Sequence, residues 1–313
     1  MPRIIALTGV TGFIGSTLAY RLHETHWQIR ALVRPTSKRD HLEGIDIQWI
    51  TGDLDDPESL HRLVRNVNAV VHCAGAVRGA SPDYFFHVNS HGVARLVQAA
   101  NKENPKPRFL LISSIAAREP QLSPYAASKK QGEEALAAGA GGGMPWAALR
   151  PAPVYGFGDK EMLPLFRWMY RGIAPVFGSA DARFSMLYVE DLAEAIVQWL
   201  TCGSMLQQTF ELHDGQPDGY AWEDLILTVA RLRGKRVYRI PIPFPIVKGL
   251  ARLNASTARL TGYAPMLTPG KVRELMHSDW TCDNTLLSRE TGWVPHVLLE
   301  NGLQRILKPD IKN

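Results

Sequence analysis

Gly9, Gly12 and Gly15 stand at Gly-x-x-Gly-x-x-Gly spacing. They follow the short apolar run Ile4-Ile5-Ala6-Leu7-Thr8 and precede Ser16 to Leu22, which reads as a helix. In a strand–turn–helix setting each glycine has its own reason. Gly9 permits the tight turn out of the strand, Gly12 lets the backbone approach a pyrophosphate, and Gly15 lets the helix pack close to the sheet. The helix N-terminus adds unpaired N–H groups and the positive end of a dipole, so a phosphate-bearing ligand is expected there. Further on, Ser113-Ser114 ends an apolar strand, and Tyr125 and Lys129 lie four apart on one face of a helix. A lysine's charge stabilises tyrosinate and draws the phenol pKa toward neutrality, which makes a proton-transfer pair. A strand-end hydroxyl beside the pair can hold and polarise a substrate oxygen. Tyr-x-x-x-Lys alone arises often by chance; behind the glycine motif and shortly after the serine pair it is specific.

The elements that must position these groups alternate. Strands are predicted at Gln28–Val33, Ile47–Ile50, Ala69–His72, Arg108–Ser113 and Trp146–Arg150, with helical patterns between them such as Asp56 to Val64 and Val88 to Asn101. That alternation implies an α/β fold, a Rossmann-type doubly wound parallel sheet whose ligands bind at the carboxyl ends of its strands. Each motif above sits at such an end. Gly139-Ala140-Gly141-Gly142-Gly143 reads as a surface connection. After Pro151 the alternation fades. Helices are predicted at Met162–Tyr170, Asp191–Leu200, Trp222–Arg233, Ile246–Leu260 and Gly270–Met276, and Phe210-Glu211-Leu212 as a strand returning to the sheet. The expected division is a dinucleotide-binding domain over 1–156, with 190–213 returning to it, and a smaller discontinuous substrate lobe from 157–189 and 214–313.

Composition narrows the class. Hydrophobic residues make up 45% of the 313 and charged residues 21%, as in a globular protein with a large core. The net charge of +5 reads as dispersed, which argues against a nucleic-acid partner. Cys73, Cys202 and Cys282 form no Cys-x-x-Cys pair, so free thiols in a reducing, cytoplasmic setting are expected, and no secretory leader is evident. No apolar run is long enough to span a bilayer, so no integral membrane segment is expected. The nearest candidate, Phe244 to Leu253, is interrupted by Lys248 and Arg252 and reads as a packed amphipathic helix, with a peripheral membrane contact left open. His87 and His91, and His23 with His26, lack a third ligand, so no metal site is expected.

Taken together, Thr8 to Gly15, Gly52-Asp53-Leu54, His72-Cys73-Ala74-Gly75, Asn89-Ser90-His91-Gly92, Ser113-Ser114, Tyr125 to Lys129, Leu149 to Gly156 and Tyr188 to Leu192 resemble the extended short-chain dehydrogenase/reductases over most of the chain. The resemblance implies that Tyr125 is the general acid/base. It implies that Lys129 lowers the phenol pKa and holds the nicotinamide ribose, and that Ser114 orients the substrate oxygen, with Ser113 a weaker candidate. It places Thr11, Phe13 and Ile14 of the glycine turn on the dinucleotide, Asp53 and Leu54 at the adenine, Cys73, Ala74 and Gly75 along the dinucleotide, and Pro151 and Val154 by the nicotinamide. Asp53 also fits a cap in an acidic turn, Asn89 a packing role, and Glu190-Asp191 a helix start complementing the dipole. A homodimer through roughly Phe86 to Asn101 and Tyr125 to Ala138 is carried over from relatives as an expectation.

The second strand ends Val33-Arg34-Pro35-Thr36-Ser37-Lys38-Arg39, with no Asp or Glu to meet a ribose 2′-OH. Arg34 is placed to fork onto a 2′-phosphate, with Lys38 or Arg39 adding charge, so NADP(H) is expected over NAD(H). Ile115-Ala116 follow Ser114 where related dehydratases carry Asp-Glu, and Ala117-Arg118-Glu119 stand where epimerases carry Tyr-Gly. Arg183 lies near where sugar-nucleotide enzymes hold a substrate phosphate, with an imperfect offset. Trp168, Met169, Tyr170, Phe177, Met186, Phe244 and Met266 could line an apolar pocket or form lobe core. The expected function is hydride transfer between NADP(H) and a hydrophobic carbonyl or alcohol substrate, as in dihydroflavonol-reductase-like and 3β-hydroxysteroid-dehydrogenase-like members. The alternatives are a nucleotide-sugar epimerase with tightly bound NAD and a non-catalytic dinucleotide sensor or assembly subunit.

Overall fold

A computed structural model describes residues 3–179, 181–203, 207–261 and 263–308. Positions 204–206, inside the segment expected to return to the sheet, lie outside the described residues. In chain order the first half runs β1 (Ile4–Thr8), α1 (Phe13–Glu24), β2 (Gln28–Val33), β3 (Ile47–Thr51), α2 (Pro57–Val64), β4 (Ala69–His72), α3 (Pro82–Phe86), α4 (Gly92–Ala100), β5 (Arg108–Ile112), α5 (Pro124–Ala140) and β6 (Trp146–Pro151). All the pairings are parallel, and the seventh strand, Gln208–Leu212, joins β6 with Phe210 opposite Leu149. Strand order from that edge is Gln208–Leu212, β6, β5, β4, β1, β2, β3, so the order reverses between β1 and β4. The carboxyl ends on either side of that switch are where a ligand is held in such sheets.

The central strands are apolar without interruption because both their faces are covered. Ile5, Leu7, Val71 and Leu110 join Leu18 and Leu22 of α1 and Ile196 and Trp199 of α7 (Val189–Thr201) on one face. Ala6, Val70, Phe109 and Leu111 join Leu60, Leu96 and Leu136 of α2, α4 and α5 on the other. Residues next to each other in a strand thus feed opposite cores. Where the sequence pattern suggests one helix from Val88 to Asn101, the structure has α3, a wide π turn over His87–His91, and then α4. That turn presents Asn89 inward, as such insertions often do near functional sites.

The second lobe has its own core. Phe166 and Met169 of α6 (Leu163–Tyr170), Leu225 and Val229 of α8 (Trp222–Arg233), and Leu303 of α12 (Leu299–Leu307) surround Tyr155 and Tyr188. Met169 therefore belongs to lobe core, while Trp168 and Phe244 are exposed; none of these three lines the cleft described below. Asp191 binds sheet and lobe to one another. It stands in the first turn of α7, where an acidic side chain complements the dipole. Yet its buried carboxylate also accepts the backbone N–H groups of His296 and Val297 at 3.1 and 2.9 Å, and its carbonyl accepts the Trp293 indole N–H at 3.1 Å. Asp191→Ala would leave two N–H groups without their acceptor. It is expected to destabilise the fold by about 2–4 kcal/mol, read as a lower urea midpoint at unchanged slope, with Asp191→Asn losing less. An unmoved midpoint would rule out the clamp.

Candidate active site

One cleft of about 1900 Å³ runs along the carboxyl ends of β1, β4, β5 and β6 and under the second lobe. Its sheet-side wall holds Gly9, Thr11, Gly12, Phe13, Ile14 and Gly15. Gly9 has φ +69°, and a Cβ there would fall 2.5 Å from the Ala74 nitrogen; a Cβ on Gly15 would fall 2.1 Å from the Gly9 carbonyl oxygen. Helix α1 can start against the strand end only because both are glycine. Its N-cap, Gly12, offers no side-chain acceptor and its first turn holds no acidic residue. The helix N-terminus therefore opens into the cleft with donors and a positive dipole end, which fits a pyrophosphate.

Cys73, Gly75, Ser113, Ser114, Tyr125, Pro151 and Val154 line the same cleft. The N-cap Ser123 starts α5 by accepting the Ala126 N–H at 2.9 Å, and this fixes Tyr125 in the first turn, edge-on to Phe85. Ser114 stands near enough to the Tyr125 phenol to pull its pKa down. Its oxygen also accepts the Ala116 N–H at 3.2 Å, which leaves its proton free to donate. Ser113 is occupied differently. Its hydroxyl donates at 2.5 Å to Glu133, a buried carboxylate that also takes a two-pronged contact from Arg150 at 2.8 and 2.6 Å. Of the pair, Ser114 is the one facing the phenol.

Lys129 is buried behind this wall and does not line the cleft; its ammonium donates to the Ile112 carbonyl at 2.9 Å. Burial lowers its pKa to about 8, with the Cys73 thiol and Glu133 carboxylate drawing it back up. Burial likewise raises the Tyr125 phenol to about 12, Ser114's hydrogen bond pulling down and the nearby Glu274 charge pushing up. Next to the ammonium, His72 is held near 3 by burial and by the Lys129 charge, so it is neutral. Its Nδ1 pairs with Thr8 Oγ1 at 2.7 Å. The Cys73 thiol, pushed up to about 12 by burial, is not a nucleophile. Asn89 is spent on structure: its Oδ1 accepts the Ala76 N–H at 2.8 Å and its Nδ2 donates to Ala76 O and Ser128 Oγ at 3.0 Å each. It pins the loop after β4 to α5.

Arg34, Lys38, Arg39, Asp53, Leu54 and Ala74 stand apart from the cleft lining. Arg34 and Lys38 are exposed beyond the end of β2 and form no ion pair among the described residues, whereas Arg39 stacks on Trp49 at 5.0 Å. Asp53 accepts the Asp55 N–H at 3.2 Å in the turn after β3, Leu54 packs on the α2–α4 side, and Ala74 donates its N–H to Thr8 Oγ1. Arg183 reaches the cleft but is exposed and shared with Asp224 at 3.7 Å.

Sequence reasoning missed Glu274. This buried carboxylate on α10 (Pro269–Met276) accepts the Ser123 hydroxyl and the Lys271 ammonium, the latter at 2.9 Å. It fastens the second lobe to the N-terminal end of α5. Nothing in its sequence neighbourhood marks it beyond Lys271 three residues earlier. Asp159, which accepts three backbone N–H groups at the start of α6 beside the cleft, could have been read as a helix-start carboxylate.

Residues 5–208 match the NAD dependent epimerase/dehydratase family. The chain is 35% identical over 279 residues to a ceramide reductase of Caulobacter vibrioides, covering 89% of this chain and 86% of that one. It is 26% identical to a 2-alkyl-3-oxoalkanoate reductase of Stenotrophomonas maltophilia, covering 96% and 98%. A UDP-glucuronic acid 4-epimerase of Bacillus cereus, solved with UDP-glucuronic acid and NAD, superposes with a TM-score of 0.74 at 19% identity, covering 98% of this chain and all of that one. That likeness is one of fold.

The burial of Lys129 makes a stability prediction. A charged form disfavoured in the fold costs stability wherever the unfolded chain is protonated, so the cost is full below pH 8 and relieved as pH rises toward 10.5. Lys129→Met is expected to raise stability at pH 7 by about 1–3 kcal/mol, after the lost bond to Ile112 is offset, read as a higher urea midpoint. The gain should vanish above about pH 10. A variant less stable than the parent at pH 7 would contradict the account.

Proposed function

The chain belongs to the NAD dependent epimerase/dehydratase family, and from that premise we propose that it is an NADP(H)-dependent reductase of a hydrophobic carbonyl, the best candidate being a ketone on a long-chain lipid. The observation that carries this reading is that Ser114 and Tyr125 line one cleft whose far wall is largely apolar. Leu165, Phe177, Phe184, Met186, Met266 and Leu275 all line it. The similarity to a ceramide reductase and to a 2-alkyl-3-oxoalkanoate reductase points to the same substrate class. The sugar-nucleotide alternative has less support. The arginine it would need for a substrate phosphate is exposed and paired with Asp224, and the end of β2 is basic.

In this reading the α1 N-terminus and the glycine turn hold the pyrophosphate, with Thr11, Phe13 and Ile14 alongside it. Arg34 and Lys38 meet a 2′-phosphate, and Asp53 and Leu54 flank the adenine. Cys73, Ala74, Gly75, Pro151 and Val154 line the path toward the reacting end. The bound cofactor supplies the hydride. Ser114 donates to the carbonyl oxygen and holds it against Tyr125. Tyr125, protonated throughout the neutral range, delivers its proton to that oxygen as negative charge builds on it. Lys129, cationic below about pH 8, stabilises the phenolate left behind.

Two variants test the assignment. Tyr125→Phe keeps the ring's packing on Phe85 and removes the proton, so kcat is expected to fall by about 10²–10⁴ with NADPH affinity little changed; substantial residual turnover would refute the acid/base role. Arg34→Ala should weaken NADPH binding by about 10–100-fold and spare NADH. Equal losses for the two cofactors would overturn the preference.

A further inference from the structure

A second surface, outside the catalytic cleft, lies on α9 (Phe244–Thr261) and the strand leading into it, Tyr238–Pro241. Helix α9 meets the protein through Val247, Ala251 and Ala258, with Phe177, Ile242, Leu267 and Met276 around the first two. Its outer side leaves Ile246 and Leu250 54% exposed and Leu253 66% exposed. These three fall at i, i+4 and i+7, one continuous face. Lys248 and Arg252 are exposed at i and i+4 on a separate stripe, and the Lys248 ammonium sits 5.5 Å from the ring of exposed Phe244. On the preceding strand every residue is exposed, Tyr238 to 68%, beside partly exposed Ile173 in register on its partner.

The charge of this segment is one-signed. Residues 225–273 contain ten Lys and Arg and no Asp or Glu, while the rest of the chain carries 25 basic and 30 acidic residues. The dispersed distribution read from the whole sequence does not hold here: the modest net charge averages this basic segment with a mildly acidic remainder. Lys235, Arg236, Arg239, Lys248 and Arg252 are exposed and form no ion pair among the described residues. No helix among those residues is long and apolar enough to cross a membrane. An unpaired apolar stripe flanked by cations is instead the pattern of a helix lying in a bilayer interface, its aliphatic side chains at the acyl boundary and its cations at the lipid phosphates.

We propose that the outer face of α9, with the strand before it, docks this protein on the surface of a bilayer containing anionic phospholipid. A diffuse sheet of negative charge matches a basic surface that spreads over several elements, each cation near it contributing about 1 kcal/mol. The other side of α9 contributes Ala255 to the cleft, and Pro265 and Met266 just beyond the helix line it as well. Docking therefore brings the cleft mouth to the lipid surface. That this delivers substrate rests on the lipid-ketone reading above; the docking itself does not.

The test is flotation of the full chain with vesicles of phosphatidylcholine alone and of phosphatidylcholine with roughly one third phosphatidylglycerol. The parent is expected to float with the anionic vesicles and stay behind with the neutral ones. The pair Lys248→Glu and Arg252→Glu, and separately the pair Leu250→Ser and Leu253→Ser, should each reduce binding by about tenfold or more. All four side chains are exposed, so NADPH affinity is expected to be unchanged and reports that the variants are folded. A parent that floats with neither vesicle, or variants that float like the parent, would overturn the proposal. So would a dimer in sedimentation that the same substitutions split, with no vesicle binding, since the surface would then join two copies. Vesicle binding without turnover of any lipid ketone would leave docking standing and count against the substrate reading alone.

Discussion

A lysine ammonium held out of solvent at the carboxyl end of β5 is the constraint around which the rest of this site is arranged. The Lys129 ammonium donates to the Ile112 carbonyl, and burial has already drawn its pKa to about 8. Everything beside it is neutral or negative. His72 is kept uncharged, Cys73 keeps its proton, and Glu133 stands one turn further along α5. Such a charge is tolerated in a folded chain only when the surrounding structure holds it in place. The network of Glu133, Arg150 and Ser113 on one side, and the Asn89 clamp on the other, fixes α5 against the strand ends. In the proposed chemistry the misplaced charge has a use, because the same ammonium favours the phenolate that proton delivery leaves on Tyr125.

The second constraint acts across the two lobes. Asp191 holds the backbone at His296 and Val297, and Glu274 reaches from α10 to the serine that caps α5. The substrate side of the cleft is thus hydrogen-bonded to the helix that carries the phenol. A change in how the second lobe packs is transmitted to Ser123 directly, and Ser123 sets the first turn on which Tyr125 sits. The α9 face lies on that same lobe, one packed cluster away from α10.

Much of the fold was legible because its signals are local. Unbroken apolar strands, glycines at fixed offsets and β-branched runs specify β1 to β6 without reference to distant residues, and the seventh strand shows in Phe210 and Leu212. Tyr125, Lys129 and Ser114 were legible for the same reason: their spacing is a property of one helix and one strand end. What the sequence did not carry is long-range pairing. Nothing near Ser113 says that Glu133 will occupy it, and nothing near Tyr125 points to Glu274, 149 positions later. The π turn at His87–His91 hides in an unremarkable helical pattern, because one extra residue per turn brings Asn89 inward without changing amphipathicity. The aromatic residues between 168 and 266 could not be divided between core and cleft by type; burial sends Met169 inward, Trp168 outward and Phe177 to the cleft. The even spread of charge came from averaging one strongly basic segment, 225–273, with a mildly acidic remainder.

The central claim is that the Ser114–Tyr125 pair serves hydride delivery to a carbonyl of a hydrophobic substrate. The most direct measurement supplies the protein with NADPH deuterated at the transferable position and a long-chain β-keto lipid, with UDP-glucose in a parallel reaction, and follows the label by mass spectrometry. The account predicts deuterium on the new carbinol carbon, one for each cofactor oxidised, and no conversion of the sugar nucleotide. Interconversion of UDP-glucose with retained NAD and no label in the lipid would contradict it.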